Sequence, residues 1–188
     1  MEIDIGRRAV LLVAVGVLVT GCASSGDGDE HATTRAPAST GSSSAPRSSG
    51  KPLASETGET AVYPGGKVDI DVMSMRVSEG GKLMVLTLRF TPHLPAGSED
   101  RPRIYDLIGQ TPLKSFEPAL VDTVNLKRYS VVKDDQENEL KSDDISTVIA
   151  NNHSGLATYT FAAPPANVTE MNVHVDPWQP FSTIPVQR

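Results

Sequence analysis

Between Val68 and Phe90 the large apolar residues recur at every second position, and that period dictates extended strands rather than helix. Lys82 to Phe90 puts Met84, Leu86, Leu88 and Phe90 on one face and Leu83, Val85, Thr87 and Arg89 on the other. Upstream, Val68, Ile70 and Val72 alternate with Asp69 and Asp71. Between the two runs stands Ser78-Glu79-Gly80-Gly81-Lys82. A Gly-Gly pair predicts a two-residue hairpin turn, because both positions accept positive φ. Centring the turn there pairs Val77 with Met84, Met75 with Leu86 and Met73 with Leu88, all apolar and on one buried face. Val68, Ile70 and Val72 then fall out of phase with Met73 and Met75. Either a β-bulge intervenes near Val72, or both faces of that strand are partly buried.

Further strands are expected at Arg103–Leu107, Ala119–Asp122, Leu126–Lys133, Leu156–Phe161, Glu170–Val175 and Phe181–Val186, separated by turn-rich stretches. Ile145–Ala150 reads as a short helix capped by Ser142 or as another strand. About eight short strands without a long helix predict one all-β domain over residues 62–188, an antiparallel β-sandwich. Gly155-Leu-Ala-Thr-Tyr159-Thr-Phe161-Ala-Ala-Pro164-Pro165, taken with Val85-Leu-Thr-Leu-Arg-Phe-Thr91, is similar to the immunoglobulin-like domains of Gram-positive envelope lipoproteins of unknown function. Val121-Asp-Thr-Val-Asn-Leu-Lys-Arg-Tyr129 resembles β-domains of secreted actinobacterial envelope proteins. The resemblance implies an immunoglobulin-like fold and a place in the cell envelope, and it carries no catalytic residues over.

The N-terminus supplies an address. Arg7 and Arg8 precede an uncharged apolar run, Ala9 to Val19, of 11 residues. That is too short to span a bilayer, which takes about 20 residues, and has the length of a signal-peptide core. It leads to Val19-Thr20-Gly21-Cys22, which resembles the bacterial lipobox, with small residues before a cysteine that is acylated and then becomes the first residue. Residues 1–21 are therefore expected to be a lipoprotein signal peptide, with Cys22 as the lipidated residue. Cys22 is also the single cysteine, so no disulfide forms within the chain. A diacylated Cys22 anchors stably, since each buried methylene contributes about 0.8 kcal/mol and two chains suffice. Residues 22–61, rich in Ser, Thr, Ala, Gly and Pro with Leu53 as the one large apolar side chain, are expected to be a disordered tether. As a coil, some 40 residues reach roughly 35 Å. His31 falls in this segment and reads as solvated.

Charge and motifs restrict function mainly by exclusion. The net charge is −6, and removing residues 1–21 leaves it unchanged. An acidic domain lacks the basic face that nucleic acid requires, and its whole-chain charge draws it to no anionic lipid. His93, His153 and His174, with Met73, Met75, Met84 and Met171, are the donor types that hold copper outside the cytoplasm. On a strand, however, Met171 and His174 face opposite ways, and the hairpin turns the other methionines inward. His93 and His153 are expected in separate turns. The acidic run Asp134-Asp135-Gln136-Glu137-Asn138-Glu139, closing with Asp143-Asp144, lacks the glycine and terminal glutamate of a calcium loop, so it reads as a solvated turn. There is no Gly-x-Ser-x-Gly elbow, and Asp69 and Asp71 alternate with apolar residues as on any amphipathic strand.

Trp178, in Asp176-Pro177-Trp178-Gln179-Pro180, is the one candidate binding residue, with a plug at the end of the core as the plainer reading. The chain is thus expected to be a lipid-anchored protein on the extracytoplasmic face of the cell membrane. Its β-domain would act as a non-enzymatic binding or scaffolding module for another exported envelope protein, with no cofactor, metal site or catalytic residue. A copper carrier and an enzyme with an unfamiliar site are the alternatives.

Overall fold

A computed structural model of the chain describes residues 50–60, 62–98, 100–109 and 116–188. The signal segment, Cys22, His31 and the tether as far as residue 49 lie outside the described residues. In chain order the elements are β1 (Ala54–Glu59), β2 (Lys67–Val77), β3 (Leu83–His93), α1 (Ile104–Leu107), β4 (Ala119–Asp122), β5 (Lys127–Tyr129), β6 (Gly155–Ala162), β7 (Glu170–His174) and β8 (Phe181–Pro185). They make two four-stranded antiparallel sheets, ordered β1-β2-β3-β6 and β5-β4-β7-β8. The fold is an all-β sandwich. Its likeness to immunoglobulin-like domains lies in this two-layer architecture. The strand order differs, since β1, β2 and β3 here follow one another as a meander within one sheet.

The β2–β3 hairpin is the centre of the first sheet. Val77 stands opposite Met84 and Met75 opposite Leu86, as the alternation predicts. Met73 does not face Leu88. Val72 takes that place, and Met73 is the extra residue of a β-bulge. The bulge advances the phase by one residue, which brings Val68, Ile70 and Val72 onto the inward face with Met75. Val68, Ile70, Val72, Met75, Met84, Leu86, Leu88 and Phe90 are all at 0% exposure. The turn is longer than predicted. Ser78 N–H donates to the Leu83 carbonyl at 2.9 Å, leaving the four residues from Glu79 to Lys82 as the loop. Gly81, at φ +68°, takes the left-handed conformation.

The fold also starts earlier than composition suggests. Residues 54–59, assigned above to the tether, form β1 and pair with β2 from Ala54 opposite Val72 to Glu59 opposite Lys67. An edge strand needs few apolar residues of its own, and Ser55 and Thr57 find polar partners across the pair in Asp71 and Asp69.

Three expectations between the sheets are corrected. Arg103–Leu107 is not a strand, because Ile104 to Leu107 form one helical turn. Arg103 caps it, its guanidinium and backbone N–H both bonding the Asp106 carboxylate, and Ile104, Leu107 and Ile108 are buried at the three- and four-residue spacing of a helix. Residues 145–150 are neither helix nor strand, but a turn capped by Asp143, which accepts from the backbone of Ile145 and Ser146. Ser142 instead bonds Thr158 of β6. The strand expected over Leu126–Lys133 shortens to β5, after which Val131 and Lys133 make isolated bridges.

The two inner faces share one core, and the ring of Phe116 packs on the first sheet's inner face, meeting Phe90 edge-on at 6.1 Å and Tyr159 at 5.6 Å. Gln187 crosses to the first sheet, exchanging backbone bonds with Met75 and Val77. The Arg188 guanidinium bonds the carbonyls of Pro164, Pro165 and Val168.

Candidate functional site

The outward face of the first sheet is polar because its strands alternate, and the bulge in β2 sets which polar residues meet. Ser55 pairs with Asp71 and Asp71 with Arg89; one row along, Thr57 pairs with Asp69 and Asp69 with Thr91. The side chains close the same rows. The Ser55 hydroxyl donates to Asp71, and Arg89 reaches the other Asp71 oxygen through two nitrogens, each at 2.8 Å. Thr57 donates to Asp69 at 2.7 Å, and the hydroxyls of Thr91 and Ser154 lie 2.8 Å apart. Pro52, Ser55, Thr57, Asp69, Asp71 and Arg89 line an open groove of about 740 Å³ across this face.

His93 completes the network, which corrects its expected place in an isolated turn. It is the last residue of β3, with Nε2 at 2.8 Å from the Asp69 carboxylate and Nδ1 at 3.0 Å from Asn152 Oδ1. The turn that carries Asn152 and His153 docks onto the end of β3, with Asn151 bonding both the N–H and the carbonyl of Leu94. An imidazolium donates to both acceptors, so the hydrogen bonds to Asn152 and Asp69, aided by the Asp69 charge, raise the His93 pKa against a small opposing effect of burial. Asp69 is held below the usual carboxylate range, first by the Thr57 hydroxyl and then by His93, against the upward push of burial. With both ring nitrogens engaged, His93 has no lone pair directed at Ser154, which bonds Thr91 instead. The face offers fixed donors and acceptors, not a nucleophile beside a base.

The other candidates are dispersed. Met73, Met75, Met84 and Met171 are core residues with 0–5% exposure. His153 is exposed, and His174 lies on β7 in the second sheet, out of phase with buried Met171 and Val173. Among the described residues, no three His, Cys, Asp or Glu side chains are grouped as metal ligands. Asp134 caps its own turn, accepting from the backbone of Gln136 and Asn138 and from the Asn138 side chain. Trp178 lies against Gly58 of β1. Its indole N–H donates to the Glu59 carbonyl at 3.0 Å, and its ring centre is 6.5 Å from that of Phe90. A Cβ on Gly58 would fall 2.0 Å from the indole, so the ring fills the space that this glycine leaves.

The solvated turn expected for the acidic run fails at Glu139 and Asp144, which join Lys141 in a largely buried ion cluster that fastens Phe116. The Lys141 ammonium meets Glu139 at 2.9 Å, Asp144 at 3.2 Å and the Phe116 carbonyl at 3.0 Å, and Asp144 accepts from Phe116 N–H. No family model, curated protein or solved structure matches the chain.

Proposed function

We propose that this is a bacterial lipoprotein, exported by residues 1–21 and held by a lipid on Cys22 at the extracytoplasmic face of the membrane. Its sandwich serves as a non-enzymatic module that binds or scaffolds another envelope protein. The supporting observation is the outward face of β1, β2 and β3. Its charged and hydroxyl groups are fixed by one another in a rigid polar array, and the one histidine in it has no nitrogen left to act as a base. Rigid donors and acceptors suit recognition, because little side-chain entropy remains to be lost on binding. The lipobox and the sole cysteine support the anchor.

Two measurements test the two halves. Cys22→Ala is expected to move the protein from the membrane to the soluble fraction, and retention after a high-salt wash would remove the anchor. A photo-crosslinking residue at Thr57 in intact cells is expected to capture one exported protein, with capture lost on Arg89→Ala. Capture that survives this change would take recognition away from the polar face.

A further inference from the structure

The β4–β5 turn points to a second contact surface. Its four residues, Thr123 to Leu126, are all exposed, with Val124 at 63% and Leu126 at 89%. Two neighbouring apolar side chains therefore stand in solvent at one tip. Leu126 also takes φ +55°, a left-handed conformation suited to glycine or asparagine and strained for a leucine. The turn is held nonetheless. The carboxylate of Asp122, itself at 0% exposure, accepts from the backbone of Val124 and Asn125 at 2.9 and 3.0 Å and from the Asn125 amide at 2.7 Å. Burial pushes this carboxyl up, but those hydrogen bonds and the nearby Lys127 charge outweigh it and keep it below the usual range. Directly behind the apolar pair, Lys127 and Arg128 are exposed, and neither forms an ion pair among the described residues.

We infer that this tip inserts into the anionic phospholipid surface on which the protein is anchored, Val124 and Leu126 entering the headgroup boundary while Lys127 and Arg128 meet lipid phosphates. The inference rests on the anchor proposed above, which supplies the membrane. Two apolar side chains are too little for a stable protein interface, which buries about 800 Å² per partner. They suffice for a contact made intramolecular by an anchor, where effective concentrations reach the millimolar range. The basic pair fits anionic lipid locally, although the whole-chain charge of −6 does not. The rigid turn also holds the pair outward in advance.

The test couples Cys22, the only thiol, to a maleimide lipid in the chain from Cys22 to Arg188, which carries every described strand. The outcome is then independent of whether cells acylate Cys22, so failure here and failure of the anchor are separate results. A photoreactive residue at Thr123 reports what the tip touches in phosphatidylcholine vesicles with and without phosphatidylglycerol. Lipid adducts are expected at the tip, several-fold more on the anionic vesicles. Leu126→Asn should cut the yield about tenfold while unfolding at the same or higher denaturant concentration, and Lys127→Gln with Arg128→Gln should cut it several-fold. Absence of lipid adducts, a yield unchanged by Leu126→Asn, or adducts to a protein instead when the same probe is used in cells would overturn the inference.

Discussion

Two hairpin turns in this sandwich meet the same conformational demand in opposite ways. Each spans four residues, Glu79 to Lys82 between β2 and β3 and Thr123 to Leu126 between β4 and β5, and each needs one left-handed residue. The first places Gly81 there, with open space around it and no side chain to strain. The second places Leu126 there and leaves its side chain in water. The first turn follows folding chemistry alone: it joins the two longest strands, 11 residues each, and their inner faces are the core. The second joins strands of 4 and 3 residues and departs from what local stability favours. Local strain with no return in packing is where a function outside the fold is to be sought.

The largest expected effect lies in the first hairpin. Leu86→Ala should lower unfolding free energy by about 2–5 kcal/mol in denaturant titrations, whereas Val124→Ala at the second tip should stay within about 0.5 kcal/mol. Comparable losses at both sites would erase the distinction. Next are the left-handed residues themselves. Gly81→Ala should cost about 1–2 kcal/mol, while Leu126→Asn should raise stability by about 0.5 kcal/mol, so the two changes shift the midpoint in opposite directions. The smallest effect concerns the outer face of the β2–β3 hairpin. The His93 pKa is raised on folding, so its contribution is fully present below the unfolded value near 6.5 and is lost as pH climbs through the higher folded value. With 42% of the side chain exposed, solvent screening limits it to about 0.5 kcal/mol, and His93→Gln should flatten that part of the stability–pH curve.

The β2–β3 hairpin was legible because alternation over two runs and the Gly-Gly pair set the pairing of Val77 with Met84 and Met75 with Leu86, and the phase conflict at Val72 left a bulge there as one of two readings. The polar array was not. In unbulged register Asp69 faces Pro92 and Asp71 faces Phe90, so the array appears only once Met73 is set aside as the extra residue. β1 escaped notice because Ala54-Ser-Glu-Thr-Gly-Glu59 has no apolar alternation; what makes it a strand lies 12 to 16 residues away in Asp69 and Asp71. α1 hid in a stretch too short for a period, although the Ile104, Leu107 and Ile108 spacing is helical. Asn152 stands 59 residues from His93, a separation that no local pattern spans.

The strand that composition concealed also determines how the sandwich would respond to mechanical load. Under the anchor proposed for Cys22, any force between the membrane and a bound partner enters through Leu53 and Ala54. β1 has six residues paired with β2, ending at Glu59 opposite Lys67. A pull across the strand would peel these pairs singly from the Ala54 end, and one along it would load them together. When the pairs peel from the Ala54 end, the Glu59 end, pinned by the Trp178 indole, is the last to let go. Trp178 thereby acts as a brake on detachment of β1, and its loss should be felt more under tension than in a test tube.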